Sequence, residues 1–382
     1  MSSIQLKNFM KKNNIIPFVA LDTQWKQERS QLIKIIDKTI SEGMWVGGKE
    51  VKEFEDNIKK IIGARYVVAV NSGTDALTLA LKLLNVNRGS EVITVPNSFI
   101  SSTGAIVHVG AKPVFVDVLR DQSMDYTQVE KKISTLTKAI MPVHLTGSIN
   151  NIDKLVKIST KYKIPIIEDA AQAIGSRFKD KYAGTFGEIG CFSAHPLKNL
   201  NAIGDSGFLV TNNKNIYQRA KLLSSHGMID RDHTKYFGYL SRMDTLQASI
   251  LNFRLKNLKK LILKRRFNVS LYKKLLDRKY IYFDHEKSYQ YNSYHLFVIQ
   301  VNKRDQLKKY LEKNGVGTRI HYPIPIHLQQ ASKFLKYKKN DFPETERQAK
   351  TILSLPVHQF LTKNDIYKIC NLINKFFTKG IR

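Results

Sequence analysis

A lysine and two neighbouring acids are the residues of this chain best suited to chemistry. Lys198 follows a short apolar run in CFSAHPLKNL (191–200), and Glu168 and Asp169 end the apolar run of IPIIEDAAQAIGS (164–176). An acid at the carboxyl end of one strand and a lysine after the next strand can together hold pyridoxal 5'-phosphate. The amine forms a Schiff base with the aldehyde, and the carboxylate keeps the pyridine nitrogen protonated, which makes the ring a strong electron sink. The pair therefore predicts a pyridoxal phosphate site, with Asp169 at the ring nitrogen.

Each of these residues also has an ordinary interpretation. In so basic a chain most lysines lie on the surface, and an acid after a strand often caps a helix. Apolar residues and Pro196 before Lys198, and a Gly-Asp-Ser-Gly turn (204–207) after it, single out this lysine. Gln172 is expected one helical turn beyond Asp169 on the same face. Gln172 is either a hydrogen-bond donor to the phenolic oxygen of the ring or an ordinary capping-box residue.

The segment NSGTDALTLAL (71–81) follows the apolar run YVVAV and predicts a helix that begins near the cofactor. Free N–H groups at a helix N-terminus bind anions. Gly73 permits close approach to the backbone, Thr74 adds a hydroxyl, and Ser193 of the lysine segment can reach a phosphate oxygen. Simple helix capping by Ser72 or Thr74 is the alternative. With the lysine downstream, we predict a phosphate site.

Aromatic and loop residues complete the set of candidates. Phe99, after Pro-Asn-Ser, is placed to stack on a flat ring, although a phenylalanine here could equally belong to the core. The proline-stiffened segment TRIHYPIPIHLQ (318–329) presents Tyr322 and His327, and loops of this composition line pockets. We take Tyr322 and His327 as candidate substrate-binding residues; turn formation alone would also explain the prolines.

The elements that must position these residues alternate along the chain. Helical stretches separate seven short apolar runs, which predicts an α/β fold with a mainly parallel sheet covered by helices on both faces. Ligands of such sheets bind at the carboxyl ends of the strands. We expect a large domain over 1–250 and a small C-terminal α+β domain over 251–382, with residues 1–45 packed on the body or on a partner subunit. The seven runs are YVVAV, EVITV, PVFVDV, AIMPVHL, IPIIEDA, CFSAH and GFLVTN.

Composition narrows the class of protein. The chain has 382 residues, and Cys191 and Cys370 are its only cysteines, with no CxxC pattern. Few cysteines favour a reducing compartment and argue against a structural zinc site. The N-terminus lacks the apolar core of a signal peptide, and no apolar run approaches the ~20 residues that span a bilayer. The sequence predicts a cytoplasmic protein without a membrane segment or a metal site.

The net charge of +30 is the unusual feature of the composition. Such a charge suits nucleic acid or an acidic membrane surface. Its lysines, however, are spread along the whole chain, and the densest block (255–279) has the spacing of an amphipathic helix with a solvated basic face. We interpret the charge as compositional drift that would also attract an anionic, nucleotide-linked substrate.

The motifs together resemble one family, the fold-type-I pyridoxal-phosphate-dependent nucleotide-sugar aminotransferases typified by DegT, DnrJ, EryC1 and StrS. The lysine box and EDAAQA carry most of this resemblance, which covers nearly the whole length. The matching segments are IPFVALDTQW, GGKEVKEFE, SGTDAL, GAKPVFVDV, PVHLTG, EDAAQA, SAHPLKNL, RMDTLQASIL, YPIPIHLQ and LSLPVH. The resemblance implies a large domain with a mainly parallel seven-stranded sheet and a smaller α+β C-terminal domain.

The resemblance also implies roles and partners. Lys198 would be the Schiff-base lysine and general acid/base, with Asp169 on the pyridine nitrogen, Gln172 at the ring oxygen and Phe99 stacked on the ring. Gly73, Thr74 and Ser193 would hold the phosphate. The protein would be a homodimer that transfers the amino group of L-glutamate to a keto sugar carried on a nucleoside diphosphate. The motifs favour amination at C3 of the hexose over C4.

Two positions depart from the family pattern. Members usually carry an asparagine before [S/Y]RMD that reaches the partner's cofactor phosphate, and Leu240 stands there in this chain; the histidine that often follows EDAAQA is replaced by Ile174. The presence of Lys198 argues against the dehydratase branch, which has histidine in its place. A regulator or nucleic-acid-binding protein on the same fold stays open as an alternative, supported by the charge alone.

Overall fold

In the computed structural model, which describes residues 15–378, the seven apolar runs become the strands of one sheet. Their order across the sheet is β3-β2-β4-β5-β8-β9-β1, in which isolated parallel bridges join β4 to β5. All neighbouring pairs are parallel except the two that involve β9. The predicted mainly parallel, seven-stranded sheet is therefore confirmed. The strands are β1 (Tyr66–Val70), β2 (Glu91–Thr94), β3 (Lys112–Phe115), β4 (Thr137–Ile140), β5 (Ile167–Asp169), β8 (Ile189–Ser193) and β9 (Gly207–Thr211).

The reversed strand β9 determines where the lysine lies. Ser193 at the end of β8 pairs with Gly207 at the start of β9, so the loop 194–206 leaves and returns at the carboxyl edge of the sheet. The loop is braced by hydrogen bonds from Ala194 N to Ser206 O (2.7 Å) and from Ala202 N to Ala194 O (2.8 Å). An antiparallel pair needs only a loop as its connection. The chain can therefore present Lys198 directly above the sheet.

Helices cover both faces of the sheet, as the apolar runs predicted. Val67 and Ala69 of β1 belong to one buried cluster and Val68 and Val70 to another, because successive side chains point to opposite faces. The helices around the sheet are α1 (Leu21–Ser41), α2 (Lys49–Ile62), α3 (Gly73–Leu83), α4 (Ile100–His108), α5 (Tyr126–Lys132), α6 (Ile152–Tyr162), α7 (Lys214–Leu223) and α8 (Thr245–Leu255). Leu145–Gly147 forms a short 3-10 turn.

The second α+β segment builds its own core. Strands β10 (Ile281–Tyr282), β12 (Phe297–Val301) and β13 (Ile352–Leu355) form an antiparallel sheet, and β11 (Gln290–Tyr291) instead pairs with the hairpin of β6 (Arg177–Phe178) and β7 (Lys181–Tyr182). The helices of the second segment are α9 (Leu258–Leu275), α10 (Arg304–Lys313), α11 (Pro343–Thr351) and α12 (Lys363–Thr378), with 3-10 turns at Ile326–Leu328 and Gln330–Leu335.

Helix α9 joins the two cores. Leu258 and Ile262 pack with the large sheet, whereas Val269 and Tyr272 pack in the second core. The basic helix predicted for 255–279 is thus present from Leu258 to Leu275. The division of the chain at residue 250 remains a prediction. Among residues 15–378, no helix is both long enough and apolar enough to span a membrane.

The N-terminal segment lies across both parts of the molecule. Residues 1–14 lie outside the described residues, and from Ile16 onward the segment packs on its own chain. Ile16 forms a parallel bridge with Val316, and Gln24 Nε2 donates to Asn201 Oδ1 at 3.1 Å. An ion pair of 2.7 Å joins Arg254 of α8 to Glu28 of α1. The described part of 1–45 therefore lies on the body, one of the two placements that we predicted.

Candidate active site

All but one of the predicted site residues line a single cavity of about 340 Å³. This volume lies in the usual range for small-molecule and cofactor pockets, about 300–1,000 Å³. The cavity opens at the carboxyl ends of β1, β2, β5 and β8, where ligands of open α/β sheets bind. The eight residues are Gly73, Thr74, Phe99, Asp169, Gln172, Ser193, Lys198 and Tyr322.

Lys198 is a partly buried amine with an altered acidity. Its backbone N–H donates to His195 O at 2.8 Å, within the loop between β8 and β9. Burial lowers the pKa of Lys198 to about 8, and the nearby Asp169 carboxylate offsets only part of this effect. Burial acts this way because the apolar surroundings penalise the charged ammonium. A considerable fraction of the amine is therefore neutral near physiological pH, as a nucleophilic lysine requires.

Asp169 ends β5 and is 5% exposed. Ser102 Oγ donates to its Oδ2 at 2.7 Å, and Ala171 N donates to its Oδ1 at 3.1 Å. Each hydrogen bond occupies only part of the accepting capacity of the carboxylate, so its remaining lone pairs can accept a further N–H. This environment suits an acceptor for a protonated pyridine nitrogen. The sequence analysis did not single out Ser102, whose only indication was its position shortly after Phe99.

Glu168, the other acid of the pair, has a structural role. Its carboxylate accepts hydrogen bonds from the backbone N–H groups of Gly184 (2.8 Å), Phe186 (2.6 Å) and Gly187 (2.7 Å). His144 Nε2 lies 2.8 Å from the same carboxylate. Adjacent residues of a strand point to opposite faces, so Glu168 braces the 184–187 loop while Asp169 faces the cavity.

Gln172 faces the cavity from a turn, and the helix predicted after Asp169 is absent. Ala173 N donates to Ala170 O and Ser176 N donates to Ala173 O, both at 2.9 Å, which closes two successive turns. Thr146 N donates to Gln172 Oε1 at 2.7 Å, so the amide NH₂ is the end left to donate. The Gln172 side chain also lowers the pKa of the Tyr322 hydroxyl slightly, against the larger raising by burial. Gln172 therefore offers a donor that suits a phenolic oxygen.

Tyr322 stays protonated over the physiological range. Burial, and next the Asp169 carboxylate, raise the pKa of Tyr322 to about 12. Its ring lies 5.9 Å from that of Phe99, tilted by 44°. Phe99 is 54% exposed and lines the cavity, which leaves ring surface free to stack on a planar ligand.

The N-terminus of α3 lies at the cavity where we predicted a phosphate site. Ser72 caps this helix, with Asp75 N donating to its Oγ at 3.0 Å. A side chain at position 73 would place its Cβ 2.6 Å from Ser193 Cβ, so only glycine fits between the helix and β8. Thr74 Oγ1 donates to Ser101 Oγ at 3.0 Å. Because the first N–H groups of a helix have no partner inside it, both the predicted cap and a phosphate site are possible here.

His327 is the predicted residue that the structure does not bring to the cavity. Its ring is buried and packs edge-on against Phe342, at 4.8 Å between centroids. His327 Nε2 lies 3.2 Å from Glu346 Oε1. These contacts are those of a histidine that supports the packing of α11. Of the two candidates in the 318–329 loop, only Tyr322 therefore lines the cavity.

The second segment brings further residues to the cavity that were not predicted, among them Arg265, His295 and His321. His321 Nδ1 lies 2.9 Å from Ser354 Oγ, and burial, followed by the charges of Lys198 and Arg319, lowers the pKa of His321 to about 4. Its position directly before Tyr322 was the one available indication. Arg265 and His295 gave none, since one lies in a basic helix and the other at the start of an apolar run.

Known proteins resemble this chain over nearly its whole length. A model described as the DegT/DnrJ/EryC1/StrS aminotransferase family matches residues 26–374. A UDP-N-acetyl-3-dehydro-alpha-D-glucosamine 3-aminotransferase of Acidithiobacillus ferrooxidans is 34% identical over 367 residues, 96% of this chain and 99% of that protein. A protein of Geobacillus stearothermophilus named pleiotropic regulatory protein is 32% identical, over 95% of this chain and 98% of its own length. The structure of S. venezuelae DesV with a ketimine intermediate superimposes with a TM-score of 0.92 at 31% identity, covering 95% of this chain and 98% of that one.

Proposed function

Since this chain belongs to the DegT/DnrJ/EryC1/StrS aminotransferase family, we propose that it transfers the amino group of L-glutamate to the 3-keto group of a nucleotide-diphosphate hexose. The chain is a sugar aminotransferase that uses pyridoxal phosphate. This assignment answers the question that the sequence left open between an enzyme and a non-enzymatic regulator.

One observation carries the proposal: a lysine of lowered pKa, a buried carboxylate and a helix N-terminus face the same cavity. When bound, pyridoxal phosphate supplies an aldehyde and an electron-withdrawing ring. Asp169, oriented by Ser102, would accept the N–H of the pyridinium. Gln172 would donate to the phenolic oxygen, and the N-terminus of α3 with Ser193 would bind the phosphate. The residues present therefore fit the cofactor.

Lys198 would bind the aldehyde of the cofactor through its amine, and it would also act as the acid–base catalyst. An acid–base catalyst works best when its pKa lies near the operating pH, and the pKa of Lys198 is about 8. The Nζ amine can therefore take a proton from Cα of the donor in the first half-reaction. In the second half-reaction it can give a proton to the carbon of the sugar that receives the amino group. Tyr322 and Phe99, across the cavity, would help to exclude water from this amine.

The 3-keto position is supported by the names of relatives. The Acidithiobacillus protein is named as a 3-aminotransferase, and an Aneurinibacillus thermoaerophilus relative is named dTDP-3-amino-3,6-dideoxy-alpha-D-galactopyranose transaminase. A direct test would supply the cofactor-loaded protein with L-glutamate and matched 3-keto and 4-keto sugar nucleotides, and would measure the amino sugar by mass spectrometry. Amination of the 4-keto sugar alone would contradict the assignment to C3.

We also propose a homodimer that shares its active sites across the interface. A single chain leaves several large apolar side chains exposed, among them Trp45, Phe237 and Leu240, and a partner subunit that covered them would remove this surface from water. Ser241 Oγ donates to Asp75 Oδ2 at 2.8 Å, which ties the base of the 226–240 loop to the cofactor-binding helix α3. Phe237 of that loop is fully exposed. Two buried, unpaired cysteines fit a cytoplasmic enzyme.

A further inference from the structure

Arg265 is a buried cation without an acidic partner. It is 8% exposed, and its Nη1 donates to the carbonyl oxygens of Tyr294 (3.2 Å) and His295 (3.1 Å). Its Nε has no hydrogen-bond partner, and within residues 15–378 no carboxylate lies within 4.0 Å of the guanidinium. Burial lowers the pKa of Arg265 to about 10, which still leaves it charged at neutral pH. A buried charge normally has a counter-charge, because desolvation is costly.

Another buried arginine of the chain shows what Arg265 lacks. Arg304 is 7% exposed and likewise donates through Nη1 to two carbonyl oxygens, those of Ala349 (3.1 Å) and Ile352 (3.0 Å). Arg304 has an ion pair of 2.6 Å with Asp305. The two arginines therefore share their burial and backbone contacts and differ in the acid. Among the described residues, no acid takes the place at Arg265 that Asp305 takes at Arg304.

The cavity is the place from which that acid can come. Arg265 and His295 both line it together with Lys198. His295 Nδ1 is enclosed and has no hydrogen-bond partner. Burial, and then the charges of Lys198 and Arg265, hold the pKa of His295 well below its usual range. A neutral imidazole can donate one N–H to an anion without adding a second buried charge.

We propose that Arg265 and His295 form the subsite for a carboxylate of the amino-acid donor. This inference rests on the proposed function. The alternative anion is the diphosphate of the sugar nucleotide, whose nucleoside must continue outward to solvent. Arg265 is too enclosed for such a bridging group, whereas a terminal carboxylate can end against it. A carboxylate also supplies the counter-charge that the guanidinium lacks.

Binding of an unreactive dicarboxylate tests the subsite without turnover. Calorimetry would measure glutarate, which has the donor's chain length but no amine, and UDP, on the cofactor-loaded protein. We expect Arg265→Met to weaken glutarate about 10- to 100-fold, the range for a lost hydrogen bond to a charged group, and to leave UDP within about threefold. Arg304→Met is the matched control, and it should leave both affinities unchanged.

Two further variants keep the test interpretable if Arg265→Met does not fold. Arg265→Lys keeps the charge and one backbone contact and should retain part of the glutarate affinity. His295→Phe keeps an aromatic ring at this position, removes the N–H donor and should weaken glutarate binding while the protein stays folded. In single-turnover assays both variants should slow the glutamate half-reaction and leave the keto-sugar half-reaction of the aminated enzyme at its wild-type rate.

Three results would overturn the subsite. A loss of UDP affinity with unchanged glutarate affinity would assign Arg265 to the nucleotide, and unchanged affinity for both would show that it binds no ligand. Equal slowing of both half-reactions would likewise reduce it to a structural residue. If glutarate binding follows the expected pattern but no keto sugar is aminated, the subsite stands and the proposed substrate class fails.

Discussion

The amine of Lys198 should lose its proton near pH 8, and this can be measured in the cofactor-free protein. Burial lowers the pKa of Lys198 from 10.5 to about 8. The neutral fraction is then about 3% at pH 6.5, about 24% at pH 7.5 and about 76% at pH 8.5. At the ordinary pKa of 10.5 the fraction would rise about tenfold for each pH unit over this range. The structure thus predicts that the rate of aldehyde capture rises with pH and levels off above the pKa of about 8. A lysine with the ordinary pKa would show no plateau in this pH range.

The assay is the initial rate at which the cofactor-free protein captures pyridoxal phosphate. Borohydride reduction traps the product, and mass spectrometry of the peptide that carries Lys198 identifies the site. Nα-acetyl-lysine under the same conditions corrects for the ionisation of the aldehyde itself. The Lys198→Ala variant should lose capture at this peptide, keep its fold, retain some noncovalent cofactor and lose turnover.

A substitution of Asp169 checks the direction in which its charge shifts the pKa of Lys198. Its carboxylate raises the pKa of Lys198 against the larger lowering by burial. Asp169→Asn should therefore move the midpoint of capture below pH 8. A capture rate that climbs tenfold per pH unit through pH 9.5 would show that Lys198 is not desolvated. An upward shift in the Asn variant would refute the electrostatic argument.

Further measurements test the rest of the site. Asp169→Asn should keep the cofactor but slow the glutamate half-reaction at least about 100-fold, or about 2.7 kcal/mol, and an unchanged rate would show that another group holds the ring nitrogen. Gly73→Ala places a Cβ 2.6 Å from Ser193 Cβ and should lower the free energy of unfolding by about 1–3 kcal/mol. Gly104→Ala, whose new Cβ has nothing within 4 Å, should instead stabilise α4 and raise the free energy of unfolding by up to about 1 kcal/mol. Leu240→Asn should strengthen cofactor binding by about 1–3 kcal/mol if this loop reaches the partner's phosphate; a monomer in sedimentation, or an unchanged dissociation constant, would contradict that arrangement.

Residues that act through local chain geometry were predictable from the sequence. Gly73 and Thr74 were predicted because a strand followed by a helix start places its free N–H groups in one place whatever the tertiary contacts. Lys198 and Asp169 were predicted because parallel strands bring their carboxyl ends to one edge. Gln172 was placed correctly at the cavity but on the wrong element, since its two turns depend on contacts with Thr146 and the preceding strand.

By itself, the sequence determined the alternation of apolar runs and helices, and hence the sheet, its covered faces and the edge at which the cofactor chemistry lies. These features follow from periodicity within some ten to fifteen residues. Only the tertiary structure decided which acid faces the cavity, that His327 turns away, and that Arg265 and His295 from the second core meet Lys198. Such contacts join residues far apart in the chain, and they depend on how two cores pack around α9, which no local pattern encodes.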